Sequence, residues 1–235
     1  MSFWKRGQVA LDDVAAVASG AVEVRQFVVG PISTNCYAVV SDGVAMVVDP
    51  GAEGARLAEA LSDAEVRLVV ATHGHADHVA GAAALVAATG ASFAMAEPDV
   101  ELAMRARRNH AMGIEYDADA PRPDRLLSAG DEVGVGSARF RVLEAPGHTP
   151  GGIVLLGEGG LAASADGSSW GVAFVGDTIF AGTVGRTDLP GGSSATLMRS
   201  LSSLREEIPP AMHLLCGHGD DTTMSWELSR NPFLR

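Results

Sequence analysis

The sequence predicts an α/β fold in which helices cover β-sheets. Short apolar or β-branched segments alternate with segments of helical pattern in both halves of the chain. A sheet and a helix each have an apolar face to bury, so this alternation favours helices packed on sheets. Hydrophobic residues make up 47% of the 235 residues and charged residues 20%, which is typical of a domain with a buried core.

The first half carries the most clearly marked elements. Asp42-Gly43 is a hairpin turn signal that joins two of the predicted strands. Gly90 follows an Ala-rich segment and is placed to end a helix. We predict strands over residues 22–29, 36–40, 44–48, 66–71 and 92–95, and helices over residues 55–61, 79–88 and 98–108.

The second half also contains both strand-like and helix-like segments. An amphipathic pattern predicts a helix over residues 194–206. The segment 157–171 is rich in Gly, Ala and Ser and predicts an exposed loop. We predict strands over residues 132–135, 140–143, 153–156, 172–175 and 213–216.

We expect a single domain over residues 21–235, preceded by an N-terminal extension over residues 1–20. Asp12 and Asp13 interrupt the apolar run of the extension, which argues against a signal peptide. No stretch approaches the roughly 18 apolar residues of a membrane span. Two cysteines, Cys36 and Cys216, are too few for a disulfide framework. These features favour a cytoplasmic protein without a membrane partner.

The charge balance argues against a nucleic-acid partner. The formal net charge is -12. Proteins that bind nucleic acids rely on Lys and Arg to neutralise phosphates, and this chain has the opposite excess.

The segment His73-Gly74-His75-Ala76-Asp77-His78 holds four potential metal ligands between a predicted buried strand and a predicted helix. A loop held at both ends can aim its side chains accurately. His73 and His75 are two residues apart and can converge on one ion, whereas Asp77 and His78 begin the helix and suit a second ion. Imidazole and carboxylate ligands favour zinc or iron(II) over calcium.

Three further candidate ligands follow predicted strands later in the chain. His148, Asp177 and His218 each lie beside glycine, which lets the backbone approach closely. Seven candidate ligands at strand ends predict one metal site. His110 and His213 lack this context, and we interpret both as structural.

This pattern, His-x-His-x-Asp-His with later His, Asp and His, resembles that of the metallo-β-lactamase superfamily. The segment from Asp177 to Gly192, which contains Gly-Arg-Thr-Asp, and the ending around Gly217-His218-Gly219 are similar to hydroxyacylglutathione hydrolases (glyoxalase II) and their short bacterial relatives. The resemblance implies a four-layer αββα sandwich and two divalent metal ions. It implies that His73, His75 and His148 hold the first ion, that Asp77, His78 and His218 hold the second, and that Asp177 bridges them.

The resemblance also implies hydrolysis by a hydroxide that bridges two metal ions, with Asp77 orienting it as a catalytic residue. A thioester suits this site, because a leaving thiolate has a pKa of about 8.5 and departs without a strong acid. We therefore expect a small-molecule thioester as substrate. Zinc is the metal we expect first, with iron and manganese as alternatives.

Three alternative functions fit the same sequence features. A persulfide dioxygenase with one iron, held by two His and one Asp, would leave His78 and His218 without a metal. A lactonase or β-lactamase shares the ligand pattern, and a sensor that keeps metals for stability alone is a non-enzymatic alternative.

Several residues near the predicted site have two interpretations. Arg186 and Asp188 form either an ion pair that fixes the loop or, for Arg186, a substrate contact. Tyr37 is expected in the core or beside the ligands. Cys216, two residues before His218, is interpreted as a small buried hydrophobe, with a place near the metal as the alternative.

The identity of the thiol is less constrained. Long glyoxalase II enzymes carry a C-terminal helical domain that contacts glutathione, and this sequence ends soon after His218. Lys5 is the one Lys among 17 basic residues, which suggests a GC-rich genome. Mycothiol is therefore a second candidate beside glutathione.

Overall fold

Successive side chains of an inner strand pack alternately in two different cores, and this alternation explains how the chain builds two sheets with helices outside them. The computed structural model describes residues 15–19, 22–108, 114–116, 118–157, 162–163 and 169–235. In β4 (Val44–Val48), Met46 and Val48 pack in one core cluster, and Ala45 and Val47 pack in another. A strand of period two that is buried on both faces must lie in an inner layer.

The first half forms a seven-stranded sheet with the order β1 to β7. Its strands are β1 (Ala15–Ser19), β2 (Val22–Val29), β3 (Thr34–Ser41), β4 (Val44–Val48), β5 (Glu65–Val70), β6 (Ser92–Ala96) and β7 (Arg125–Leu127). Its helices are α1 (Gly54–Ala60), α2 (Ala76–Val79), α3 (Ala82–Thr89) and α4 (Val100–Ala103), with 3₁₀ turns at Glu97–Asp99 and Ala106–Arg108.

The second half forms a six-stranded sheet and two short ribbons. Its strands are β8 (Glu132–Val135), β9 (Ala138–Glu144), β10 (Ile153–Gly157), β11 (Ala162–Ala163), β12 (Ser169–Trp170), β13 (Val172–Gly176), β14 (Ile179–Phe180), β15 (Thr183–Val184), β16 (His213–Cys216) and β17 (Thr222–Thr223). Its helices are α5 (Ser194–Glu207) and α6 (Met224–Arg230). The sheet order is β17-β16-β13-β10-β9-β8, while β11 pairs with β12 and β14 with β15.

Three core clusters define four layers. The central cluster lies between the sheets and includes Met46 from the first sheet and Phe174 from the second. A second cluster joins the first sheet to α1 and α3 through Leu57 and Leu85. A third joins the second sheet to α5 through Leu201. This αββα arrangement confirms the predicted fold class.

The β3–β4 hairpin is confirmed as predicted. Asp42 and Gly43 both have positive φ, 53° and 76°. This pairing of left-handed residues matches the twist of the flanking strands and fixes their register. Gly90 also ends α3 in the left-handed conformation, with φ 72°.

Two predicted helices are wrong in detail. The helix expected over 79–88 is divided into α2 and α3, because the backbone nitrogen of Gly81 donates to the carbonyl oxygen of Pro50, at 2.8 Å, in place of a helical hydrogen bond. A Cβ on Gly81 would lie 2.7 Å from the carbonyl oxygen of Pro50, so only glycine fits there. The helix expected over 98–108 contains only α4 between two 3₁₀ turns, and the side chain of Asp99 is engaged with two other loops.

The sequence did not predict β1, β7, α6 or the two ribbons. β1 pairs antiparallel with β2, so the boundary expected at residue 21 falls inside the first sheet. Residues 1–14 of the expected extension lie outside the described residues, as do residues 158–161 and 164–168 of the expected loop and His110. None of the described helices is long and apolar enough to cross a membrane.

Candidate metal centre

The ends of four strands meet at one edge of the sandwich. β4 runs parallel to β5, and β13 runs parallel to β16, so their carboxyl ends point the same way. The segments after β5, β13 and β16 carry six of the candidate ligands, and the loop between β9 and β10 adds His148. Asp77 and His78 lie in α2 and the other five lie on loops, so all seven predicted ligands lie at this edge.

The candidate ligands fall into overlapping groups whose potential ligand atoms lie within 4.8 Å of one another. One group contains His73, His75 and His148, and a second contains Asp77, His78 and His218. This division matches the two ligand sets expected from the sequence. The third group, Asp49 with His73 and His78, links the other two.

The first group presents imidazole nitrogens to a common centre. Nδ1 of His75 lies 2.9 Å from Nε2 of His148. Nδ1 of His148 lies 2.7 Å from the carbonyl oxygen of Arg186, to which it donates a hydrogen bond. Nδ1 of His73 lies 3.2 Å from Oγ1 of Thr72. Since His148 and His73 are held through Nδ1, their Nε2 atoms face the centre, as in many metal sites.

The second group lies beside the first, and one carboxylate oxygen is equally close to both. Oδ2 of Asp77 is 3.0 Å from Nε2 of His218 and 3.2 Å from Nε2 of His78. Oδ2 of Asp177 is 3.6 Å from Nε2 of His218 and 3.6 Å from Nε2 of His148. Asp177 thus occupies the position between the groups that the sequence resemblance implied.

Asp49 orients two of the candidate ligands, His78 and His73, and the sequence did not predict this role. Oδ2 of Asp49 lies 3.0 Å from Nδ1 of His78 and accepts a 2.7 Å hydrogen bond from Oγ1 of Thr72. Oδ1 accepts another from the backbone nitrogen of Thr72 at 2.7 Å. Asp49 therefore holds His78 directly and His73 through Thr72. The available signal was a carboxylate directly after a buried strand, before Pro50-Gly51.

Asp99 connects two ligand loops and was also missed. Its side chain is fully buried and accepts hydrogen bonds from the backbone nitrogens of Gly74, at 2.8 Å, and Gly151, at 2.6 Å. These bonds tie the His73–His75 segment to the loop that carries His148. Burial raises the pKa of Asp99, and the bonds from Gly74 and Gly151 oppose that shift.

Two buried polar atoms at the centre make no hydrogen bond. They are Nε2 of His73 and Oδ1 of Asp177. A buried polar atom without a partner is costly, and native proteins seldom leave one unpaired. A divalent cation would satisfy both atoms, and five imidazoles with two carboxylates form a donor set suited to zinc or iron. The residues therefore fit a metal centre.

Burial and neighbouring charges set the protonation of the centre. Burial and the nearby histidines hold the pKa of His73 well below its usual range, and burial lowers that of His75 to about 4. Burial would also lower the pKa of His78, but Asp77 and Asp177 raise it well above normal. Although burial opposes it, His78 lowers the pKa of both Asp77 and Asp177. Neutral imidazoles and ionised carboxylates are the forms that bind cations.

Close backbone approach explains the glycine beside His218. A Cβ on Gly217 would lie 2.2 Å from Oδ1 of Asp177 and 2.6 Å from Cε1 of His78. The turn is further held by Asn35, whose backbone nitrogen donates to the carbonyl oxygen of Gly217 at 2.7 Å. Any larger residue at 217 would displace two candidate ligands.

A cavity of about 560 Å³ opens above the two groups. His75, Asp77, His148, Asp177 and His218 form its base. The remaining described lining residues are Ile32, Ala76, Tyr116, Phe180, Thr183, Val184, Arg186 and Leu189. The candidate metal centre is thus open to a small molecule through a largely apolar entrance.

Helix α6 holds one wall of this cavity. Glu227 is fully buried and accepts hydrogen bonds from the backbone nitrogen of Gly182, at 3.1 Å, and from Asn231, at 2.7 Å. Asn231 also donates to the carbonyl oxygen of Thr183 at 2.9 Å. Both contacts reach the β14–β15 hairpin, which carries Phe180 and Val184. No local signal in the sequence points to this role of Asn231.

The structure places three residues that had two interpretations each from the sequence: Arg186, Tyr37 and Cys216. Arg186 pairs with Asp188 through two hydrogen bonds of 2.7 Å and also lines the cavity, so both of its interpretations have support. The Tyr37 hydroxyl donates to the carbonyl oxygen of Cys216 at 2.8 Å, in the core. Cys216 packs in the cluster between the second sheet and α5, as a small hydrophobe. His213 begins β16 and is absent from the ligand groups found among the described residues.

A family model supports this geometry. The model of the metallo-beta-lactamase superfamily matches residues 29–218, which include all seven candidate ligands. The chain belongs to the metallo-β-lactamase superfamily. Metal-dependent hydrolases with His and Asp ligands are typical of this superfamily, as the sequence resemblance implied.

Two relatives within this superfamily span nearly the same length. A protein of Aquifex aeolicus is 38% identical over 207 residues, covering 87% of this chain and 93% of the relative. The hydroxyacylglutathione hydrolase GloC of Haemophilus influenzae is 31% identical over 205 residues, covering 85% of this chain and 92% of the relative.

Solved structures of the superfamily share the fold. A di-iron form of TTHA1623 has a TM-score of 0.75 at 32% identity, covering 89% of this chain and 99% of that one. The B3 metallo-β-lactamase BLEG-1 has a TM-score of 0.77 at 26% identity, covering 90% and 99%. ETHE1 from Myxococcus xanthus has a TM-score of 0.67 at 26% identity, covering 89% and 83%. The di-iron neighbour shows that zinc is not the only metal this fold holds.

Proposed function

We propose that this protein is a binuclear metal-dependent thioesterase that cleaves a hydroxyacyl thioester of a small thiol. The main observation in support is the position of Asp177, whose Oδ2 lies 3.6 Å from Nε2 of His148 in the first group and 3.6 Å from Nε2 of His218 in the second. A carboxylate placed in this way can bridge two ions. The similarity to hydroxyacylglutathione hydrolase GloC, whose substrate class is a thioester, supports the proposed reaction.

The chain would hold two divalent ions with the two ligand sets and Asp177. When bound, such a pair supplies Lewis acidity and a water of lowered pKa. Asp77 lines the cavity, and its low pKa keeps it an ionised acceptor. Its carboxylate can therefore accept a hydrogen bond from an attacking water and orient it toward the substrate carbonyl.

The described cavity residues favour a good leaving group. Apart from the candidate ligands, Tyr116 and Arg186 are the titratable groups among the described lining residues. Burial raises the pKa of Tyr116 to about 12, so its hydroxyl is a weak acid. A thiolate, with a pKa of about 8.5, leaves without needing that proton, whereas an amide nitrogen does need one.

Elemental analysis and a thioesterase assay on the same sample test this proposal. We expect two divalent ions per chain and hydrolysis of lactoylglutathione or another lactoyl thioester. Chelation should abolish turnover, and added zinc, iron or manganese should restore it. Two bound ions without hydrolysis of any thioester would rule out the proposed reaction.

An oxidoreductase of the persulfide dioxygenase kind is the second candidate, favoured by the likeness to ETHE1 from Myxococcus xanthus. Such an enzyme uses one iron. The second group, Asp77, His78 and His218, argues for two ions. One iron per chain with oxygen consumption on glutathione persulfide would replace the thioesterase with this candidate.

A lactonase or β-lactamase remains a further alternative, because BLEG-1 shares the fold. Turnover of a lactone or a β-lactam, measured beside the thioesters, separates these reactions. We expect thioesters to be hydrolysed fastest.

A further inference from the structure

The entrance to the candidate metal centre is apolar, and part of this surface has no role in the core. Ile32 and Leu189 line the cavity and are only partly buried. Neither belongs to any of the three core clusters or to the residues packed against them. Apolar side chains that line an open cavity and do not stabilise the core are typical of ligand contacts.

The β14–β15 hairpin adds more apolar surface to the cavity. Phe180 and Val184 come from the β14–β15 hairpin and are partly exposed toward the cavity. The hairpin is held in place by Glu227 and Asn231, both fully buried. Ile32, Leu189 and the hairpin therefore form an apolar channel that leads to the candidate ligands, and α6 holds the hairpin side of it in place.

Charge is scarce at this entrance. Among the described lining residues, Arg186 is the one cation outside the candidate ligands. Its guanidinium already forms two 2.7 Å hydrogen bonds with the carboxylate of Asp188. At the entrance itself, a substrate with several carboxylates would meet one cation among the described lining residues, and that cation is already paired with Asp188.

Resting on the proposed function, we propose that this channel selects thioesters whose thiol is apolar and uncharged. Glutathione has two carboxylates and one ammonium group. Among the described lining residues outside the candidate ligands, only Arg186 carries a charge, and it is already paired with Asp188. An apolar thiol instead buries its surface against Ile32, Leu189 and the hairpin. Burial of that surface favours binding, whereas removing unpaired carboxylates from water opposes it.

Two thioesters with the same lactoyl group test the inference on the metal-loaded protein. One carries benzyl mercaptan and the other carries glutathione. We expect kcat/KM to be at least about tenfold higher for the benzyl thioester, the discrimination typical of an apolar pocket.

A binding measurement removes catalysis from the comparison. The matched thioethers, benzyl 2-hydroxypropyl sulfide and S-(2-hydroxypropyl)glutathione, lack the carbonyl and cannot be hydrolysed. Calorimetry should show tighter binding of the benzyl compound, both with metal and after chelation.

Two variants assign the preference to the channel. Ile32→Gln and Leu189→Gln should each weaken binding of the benzyl thioether about tenfold and change binding of the glutathione thioether little. Because neither residue packs in the core, both variants should fold. Met198→Gln on α5 is the matched control, since Met198 is 43% exposed and does not line the cavity.

The outcomes separate this inference from the proposed function. Tighter binding or faster turnover of the glutathione compound overturns the inference and leaves the thioesterase intact. Equal effects of the three Gln variants also overturn it. Preferential binding of the benzyl thioether without hydrolysis of either ester supports the channel and rejects the thioesterase.

Discussion

The base and the entrance of the candidate metal centre are built on opposite principles. At the base, Asp49 and Asp99 are buried, and both oxygens of each carboxylate accept hydrogen bonds from fixed groups. At the entrance, Ile32, Leu189 and Arg186 are partly or largely exposed and belong to no core cluster. Groups that hold ligands need a rigid hydrogen-bonded support, whereas groups that contact a substrate can change without harming the fold.

Removing the bridging charge should give the largest effect. We expect Asp177→Asn to lower thioesterase activity by more than about 100-fold, because a candidate bridging ligand contributes more than the outer hydrogen bonds do. Elemental analysis should show fewer than two ions per chain, while circular dichroism stays unchanged. A folded Asp177→Asn protein with full activity would contradict the role of Asp177.

Removing the charge of Asp49, which supports His78 and Thr72, should give the next largest effect. Asn at position 49 tolerates the positive φ of 55° that Asp49 adopts, so Asp49→Asn keeps the backbone and removes the charge. It presents an amide group in place of the charged acceptor for Thr72 and His78. We expect metal affinity to fall about 10–100-fold, measured by competition with a chelator.

Asp42→Asn is the matched control for that variant. Asp42 also has positive φ, at 53°, and lies in the β3–β4 turn, outside the ligand groups. Its metal affinity should equal that of the wild type. Equal losses in both variants would mean that backbone strain, not the contact with His78, caused the effect.

Loosening the hairpin should give a smaller effect, confined to substrate binding. Asn231→Ala removes the hydrogen bonds to Glu227 and to the carbonyl oxygen of Thr183. We expect KM to rise several-fold with metal content unchanged, and the free energy of unfolding to fall by about 1–3 kcal/mol. Kinetics and denaturant unfolding measure the two effects.

Thr222→Val tests whether a rise in KM comes from the contact with the hairpin or from a general loss of stability. Thr222 also donates to Glu227, at 2.6 Å, but among the described residues it makes no side-chain hydrogen bond to the β14–β15 hairpin. It should therefore lower stability without the same rise in KM. A matching rise in KM would assign the effect to general loosening of α6.

The smallest effect should come from the ion pair at the entrance. Arg186 and Asp188 are both exposed, and exposed pairs contribute little to stability. We expect Arg186→Gln to leave thermal stability unchanged and to alter KM about twofold. A change of more than tenfold for the glutathione thioester would show that Arg186 binds its carboxylates.

The sequence predicted which candidate ligands the structure brings together, because they occur in one compact motif and beside glycines at strand ends. The strand pattern also predicted β2 and β16 with their observed bounds, since β2 is β-branched and partly alternating and β16 is a short segment buried throughout. The hairpin at Asp42-Gly43 followed from turn chemistry alone.

The residues that the sequence did not reveal act across long separations. Asp49 contacts His78, 29 residues away, and Asp99 contacts Gly151, 52 residues away. No local spacing reports such contacts, and both carboxylates look like ordinary loop residues. The helix expected over 98–108 failed for the same reason, because tertiary hydrogen bonds to Asp99 override local propensity.

The burial of both cysteines has a consequence for the proposed thioesterase, whose reaction would release thiols. Cys36 and Cys216 have no exposed surface, and burial raises the pKa of each thiol. Thiol–disulfide exchange requires a thiolate that another sulfur can reach. The described fold therefore protects both cysteines from forming mixed disulfides with small thiols and their disulfides, including any thiol that the proposed reaction would release.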